Sequence, residues 1–178
     1  MKRSNIVAAA TSLALLAGAG NALGATVTKI GGEVFFTAAA AEINNLTIAQ
    51  IGTNYVFTDA GAPVIPGAGC AAINANSASC PADLVARVSA NLNNGNDRAV
   101  VENTVANIQV DINGADGDDT LIGGENTNDV LSGDNTIPGA DTVTGRGGND
   151  RIFAGPGADA VDGGDGNDSL AADPGNDT

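Results

Sequence analysis

The sequence predicts an all-β protein whose C-terminal third is a parallel β-roll, a two-sided solenoid, preceded by a strand-rich β domain. Three observations predict it. Short runs of β-branched and aliphatic residues are broken throughout by glycine and asparagine turns. Seven aspartates near the C-terminus recur at a near-constant interval, with an apolar residue two positions after each of the first six. Aromatic residues make up only 3% of the 178 residues, so the core must come from Val, Ile, Leu and Ala. That suits a narrow, thin-walled β-structure better than a thick globular core.

The chain opens with an export signal, expected to span residues 1–24. Lys2 and Arg3 form a charged start, residues 6–17 are apolar, and the small residues of Gly20-Asn21-Ala22-Leu23-Gly24 place cleavage near residue 24. The apolar run falls short of the roughly 20 residues that span a bilayer, and no later segment is apolar enough. A secreted, extracellular protein without a membrane span is expected.

Residues 25–112 read as the strand-rich domain. Thr26-Val27-Thr28-Lys29-Ile30 and Glu33-Val34-Phe35-Phe36-Thr37 flank Gly31-Gly32, a two-residue hairpin signal. Leu46-Thr47-Ile48-Ala49-Gln50-Ile51 alternates, and Tyr55-Val56-Phe57-Thr58 follows, closed by Asp59-Ala60-Gly61. Residues 84–92, Ala99-Val100-Val101 and Ile108-Gln109-Val110-Asp111-Ile112 supply further strand candidates. Ala38-Ala39-Ala40-Ala41-Glu42 is too short for a stable helix. Cys70 and Cys80 lie in a Gly/Ala/Asn-rich segment, and in an exported chain a disulfide is the default pairing. It would stabilise by roughly 2–3 kcal/mol on the chain-entropy model. A soft-metal site is the weaker reading, because the chain has no histidine and no further cysteine.

Charge is unevenly spread. The formal net charge is −14, and residues 111–178 hold 15 of the 21 acids against Arg146 and Arg151. Such a block repels nucleic acid and anionic membranes and favours multivalent cations.

The repeat explains that block. Asp119, Asp129, Asp141, Asp150, Asp159, Asp168 and Asp177 are spaced 10, 12, 9, 9, 9 and 9 residues apart. Leu121, Leu131, Val143, Ile152, Val161 and Leu170 follow two positions after the first six. The fullest copy is Gly163-Gly164-Asp165-Gly166-Asn167-Asp168-Ser169-Leu170-Ala171, which matches G-G-x-G-x-D-x-U-x with U a large aliphatic. Residues 114–122 and 145–153 keep the first and fourth glycines, the Asp and U, whereas Ala154 replaces the first glycine of the next copy.

Each residue type has a physical reason. Glycines permit tight turns and leave carbonyls free to face an ion. Aspartate supplies the hard, charged oxygen that Ca²⁺ prefers. U points inward from a very short strand, so alternate copies stack on opposite sides of a flattened coil, about 18 residues per turn. Burying one aliphatic gains ~1.5–3 kcal/mol. Ordering each of nine residues costs on the order of 1–2 kcal/mol, and stacked carboxylates repel one another. Folding is therefore expected to need a divalent cation between turns, with residues from about 113 onward ordering only with Ca²⁺.

Residues 113–178 resemble the hemolysin-type (RTX, repeats-in-toxin) calcium-binding proteins through the glycines, aspartates and aliphatics just quoted. The resemblance implies a calcium-binding β-solenoid in which Ca²⁺ sits between a turn and the one two repeats along. Asp119, Asp141, Asp159 and Asp177 would then line one edge, and Asp129, Asp150 and Asp168 the other. The turn residues Gly145, Gly147, Gly155, Gly157, Gly163 and Asp165 complete the implied metal-site set. The best sites are expected among Asp150, Asp159 and Asp168, where spacing is regular. The copy from Gly123 has one extra residue, and Gly133-Asp134-Asn135-Thr136-Ile137-Pro138 inserts about three, so sites there are expected to be weaker or distorted. Gly95-Asn96-Asp97 looks like a degenerate turn of the same type, with little expectation of binding calcium.

Other readings remain to be weighed. A disordered acidic tail accounts for the charge but not for the Asp-x-U register, and a calcium-independent solenoid would also use Asp, Asn and Gly in its turns. No segment fits the EF-hand loop. With no histidine and no G-x-S-x-G elbow, an enzyme is not expected. An extracellular adhesion protein using residues 25–112, with the repeats as a stalk, is the alternative role, its partner unknown. A further alternative is a piece of a larger enzyme or toxin of that family, because the chain stops at Thr178 before the last copy's apolar position.

Overall fold

The computed structural model describes residues 24–134 and 137–178. The expected export signal lies outside the described residues, apart from Gly24.

β1 (Ala25–Ile30) and β2 (Glu33–Thr37) form the hairpin about Gly31-Gly32, antiparallel with Val27 opposite Phe36. Gly31, at φ +60°, takes the left-handed conformation such a turn requires. β3 (Asn45–Ile51) and β4 (Asn54–Asp59) repeat the device around Gly52. β5 (Val64–Pro66) then runs parallel to β1, while β7 (Ser77–Pro81) pairs antiparallel with β4 and carries β6 (Ala71–Asn74) on its far side. The Cys70–Cys80 disulfide pins the start of β6 to β7. Sequence patterning gave the cysteine loop no strands, since Ala, Asn and Ser are weak strand formers. They pair here because β4 offers an open edge to β7, and β7 in turn offers one to β6.

From β8 (Arg87–Asn91) the chain coils. β9 (Arg98–Val101), β10 (Ala106–Asn113), β11 (Thr120–Ile122), β12 (Asn126–Ser132), β13 (Thr142–Thr144), β14 (Arg151–Phe153), β15 (Ala160–Asp162) and β16 (Ser169–Ala171) fall alternately into two facing sheets. One sheet runs β16-β14-β12-β10-β8-β2-β1-β5 and the other β15-β13-β11-β9-β3-β4-β7-β6. Pairing is parallel from β2 to β16 and from β3 through β9 to β15; the two N-terminal hairpins close the stacks with antiparallel strands. Residue 112 lies inside β10, and both sheets continue on either side of it.

The coil narrows along the chain. Its step is 22 residues from Arg98 to Thr120 and again to Thr142, 19 from Asp111 to Val130, 21 from Val130 to Arg151, and 18 from Thr142 to Ala160 and from Arg151 to Ser169. The expected 18-residue turn therefore holds where the nonapeptides are regular; insertions lengthen the earlier ones. The core narrows with it. Near the N-terminal hairpins, Phe36 and Phe57 stack from opposite sheets at 6.4 Å. Farther along, the interior is a file of single aliphatics, with Leu121, Leu131, Val143 and Ile152 all at 0% exposure. At the far end Val161 is half-buried and Leu170 is 50% exposed, since no described rung covers them. Outside, Arg87 bridges Glu33 and Asp111 across β2, β8 and β10, a partly exposed pairing of small energetic weight. No described helix is long and apolar enough to cross a membrane.

The burial gradient gives a test. Ile152→Ala should lower the unfolding free energy by about 2–5 kcal/mol, and Leu170→Ala by less than about 1 kcal/mol, both read by denaturant titration.

Candidate metal centre

Two columns of turns join the sheets. Residues 92–97, 114–119, 133–134 with 137–141, 154–159 and 172–177 turn on one edge, and 123–125, 145–150 and 163–168 on the other. An aspartate closes each of them except the turn from Gly123, where Asp129 stands within β12, and these aspartates are linked by hydrogen bonds running straight along the edges. On the first edge the N–H of Asn44 donates to Asp97 Oδ1 (2.6 Å), that of Asp97 to Asp119 Oδ1 (2.8 Å), and that of Asp119 to Asp141 Oδ1 (2.7 Å). Asp141 continues to Asp159 (2.9 Å) and Asp159 to Asp177 (3.1 Å). On the second edge Asp129 donates to Asp150 Oδ1 (2.8 Å) and Asp150 to Asp168 Oδ1 (2.9 Å). A second ladder runs the opposite way one residue earlier: Asp118 N–H donates to Asn96 Oδ1, Asn149 N–H to Asn128 Oδ1 and Asn167 N–H to Asn149 Oδ1. This explains why Asn or Asp so often precedes the ladder aspartate: its short side chain reaches backbone N–H groups.

In the aspartates that accept a ladder N–H, one oxygen is used and the other stranded; Asp129 and Asp134 instead give one oxygen to the N–H of Gly124 and Gly139. Oδ2 of Asp97, Asp119, Asp141, Asp150 and Asp159, and Oδ1 of Asp129 and Asp134, are buried with no hydrogen-bond partner. A buried charged oxygen without a partner is costly and calls for a counter-ion or a proton. The turn glycines show where an ion would fit. A Cβ added at Gly123 would collide with Asp129 Oδ2 and the Gly145 carbonyl, and one at Gly145 with Asp150 Oδ2 and the Gly163 carbonyl. At Gly133 it would strike Asp141 Oδ2 and the Ala154 carbonyl. The bare glycine thus keeps open a cradle where a carboxylate oxygen and a carbonyl from the next turn converge. At the head of the first ladder the Asn44 amide Nδ2 donates to the Leu92 carbonyl (3.3 Å) and to Asp97 Oδ1 (3.1 Å).

One cluster is denser than the rest. Ligand oxygens of Asp119, Asp134 and Asp141, all buried, lie within 4.8 Å of one another. Asp134 belongs to the insertion and has no place in the nonapeptide register, so spacing did not single it out. The three-carboxylate cluster lies where irregular copies led us to expect the weaker sites, because the longer turn brings an extra side chain back against the ladder.

Burial governs the electrostatics. It pushes the carboxyls of Asp119 and Asp129 up to about 7 and that of Asp141 up to about 6. The charges of Asp141, Asp97 and Asp134 push Asp119 further the same way, while the Asp97 N–H opposes. Burial also raises Asp97, Asp134 and Asp150.

Among the other expected site residues, Asp168 and Asp177 are half-buried at the narrow end. Gly147 and Asp165 meet through their backbones, as do Gly157 with Gly139 and Gly175. Gly155, at φ +92°, packs on the backbone of Asp134. The Asp165 side chain is exposed, and its carbonyl accepts from Gly148 N–H at 3.0 Å.

Two facing parallel sheets, glycine turns on both edges and a carboxylate ladder along each edge define a β-roll of stacked acidic turns. Residues 124–161, 135–170 and 144–178 match the family described as RTX calcium-binding nonapeptide repeat (4 copies), so the stretch 124–178 carries RTX repeats. Neither a curated protein nor a solved structure matches the chain. The donor set fits the ion that this family binds. All the converging atoms are oxygens, carboxylate and carbonyl, as Ca²⁺ prefers, with no nitrogen or sulfur ligand. Asp129 and Asp150 with the Gly145 and Gly163 carbonyls would hold it on one edge, and Asp119 and Asp141 with the Ala154 carbonyl on the other.

Two tests follow from the cradle. Gly145→Ala, at a position without positive φ, should remove one bound calcium per chain in a calorimetric titration. The second is pH dependence. The ion-free roll has carboxyls near 6–7, whereas unfolded aspartate titrates at about 3.9. Their contribution to ion-free stability is therefore full below about pH 4 and is lost as pH rises through 6–7. Calcium requires the ionised oxygens, so its affinity changes in the opposite sense. Thermal unfolding in chelator should show a higher midpoint at pH 5 than at pH 8, and calorimetry should show tighter calcium binding at pH 8.

Proposed function

We propose that the protein is an exported calcium-ion-binding protein whose roll completes its folding when Ca²⁺ enters the cradles between stacked turns. The observation that carries this reading is the buried, partnerless carboxylate oxygen facing a carbonyl of the next turn, present at Asp141 on one edge and at Asp150 on the other. An apolar file one side chain wide cannot offset the entropy of ordering each turn, and the stacked carboxylates add repulsion. An ion in each cradle cancels the repulsion and adds coordination energy, so binding and folding are one event. Export is supported by the charged and apolar pattern of residues 1–24 and by the Cys70–Cys80 disulfide, which suits an oxidising compartment. The role is binding and not catalysis: the chain lacks histidine, and most of its buried acids stand in ladders.

Calorimetric titration of the chain from residue 25, paired with far-UV circular dichroism, tests the proposal. Calcium uptake should release protons and increase strand signal. The triple variant Asp150→Ala, Asp159→Ala, Asp168→Ala should lose most of both responses. Equal uptake and an unchanged spectrum in that variant would sink the reading.

A further inference from the structure

The cradles differ in charge. Between the turns at 123–125 and 145–150, the ladder supplies two aspartates, Asp129 and Asp150. Between 114–119 and 133–141 it supplies Asp119 and Asp141, and the insertion adds Asp134. All three carboxylates are at least nine-tenths buried, at 1%, 5% and 1% exposure for Asp119, Asp134 and Asp141. Each also presents an oxygen with no hydrogen-bond partner: Oδ2 of Asp119, Oδ1 of Asp134 and Oδ2 of Asp141.

Asp134 is also held in place before any ion arrives. Its N–H donates to the Ala154 carbonyl at 3.0 Å, and its Oδ2 accepts the N–H of Gly139. That leaves Oδ1 as the free ligand atom, fixed by the insertion at one end and by the next turn at the other. Calcium affinity rises with the number of charged ligands and with the rigidity of the site. Magnesium, which demands near-ideal octahedral geometry and keeps its waters, gains little from three backbone-anchored, buried carboxylates.

We propose that Asp119, Asp134 and Asp141 form the tightest cation site of the roll, filled first by Ca²⁺ and favouring trivalent over divalent ions more strongly than the two-carboxylate cradles do. The inference rests on the calcium reading above. It makes the insertion a high-affinity start point from which ordering spreads towards the regular repeats, where the charge per cradle is lower.

The test is titration of the whole chain with CaCl₂ and, separately, with LaCl₃ in competition with calcium. Asp134→Asn and Asp134→Ser are compared with Asp150→Asn and the wild type. The wild type should show one class of sites at least about tenfold tighter than the rest, as ligand charge count tunes affinity. Both Asp134 variants should weaken or abolish that class and reduce its preference for lanthanum, leaving the weaker classes intact. Asp150→Asn should leave the tightest class unchanged. A tightest class that survives both Asp134 substitutions overturns the inference. So does failure of both Asp134 variants to fold at saturating calcium while Asp150→Asn folds, because Asp134 is then a folding residue. Absence of calcium uptake by the wild type would instead defeat the calcium reading itself.

Discussion

The structure depends on one interaction repeated along two edges: a carboxylate that gives one oxygen to the backbone of its neighbouring turn and is left with another it cannot satisfy. The accepted N–H sets the register between rungs. The stranded oxygen, as at Asp119, Asp141 and Asp150, creates the need for a cation. Glycine at the start of the turn leaves the room for one. The same residues therefore position the coil and hold it short of completion, which is how a binding event becomes a folding event.

The N-terminal region is held by other means. Its core is thicker, with Phe36 against Phe57, and its strands are longer, locked by two hairpins and the Cys70–Cys80 disulfide. At the head of the first ladder Asn44 replaces aspartate, and its amide hydrogens take up the oxygens of Leu92 and Asp97. On the second edge the ladder stops at Asp129, whose partner in β10 is Val110. The roll thus grows from a base held by hairpins, a disulfide and a thicker apolar core into rungs that lean on charge compensation. The shortest steps, 18 residues from Thr142 to Ala160, have the least core and the most regular acidic turns.

Much of this was legible in the residues. The spacing of the seven aspartates sorted them into two columns, and the hydrogen bonds run along those columns because a period near nine returns the chain to the same edge after two copies. The Gly31-Gly32 hairpin and the strands around Ile48, Phe57 and Val110 followed from alternation and turn chemistry. Three features were not legible. The strands at 71–74 and 77–81 form from weak strand formers because open edges await them, a tertiary effect. Asp134 lies in an insertion, so no periodicity pointed to it, and only the folded path of that turn brings it to Asp119 and Asp141. The part played by Asn44 depends on which backbone carbonyl its amide meets, and local sequence does not carry that information.

Backbone hydrogen exchange addresses the central claim most directly, because the ladder is made of amide protons. With calcium, the N–H groups of Asp119, Asp129, Asp141 and Asp150 should be strongly protected; in chelator at pH 8 they should exchange freely while those of Val34 and Val88 stay protected. Equal protection of the ladder amides with and without the ion would contradict the account.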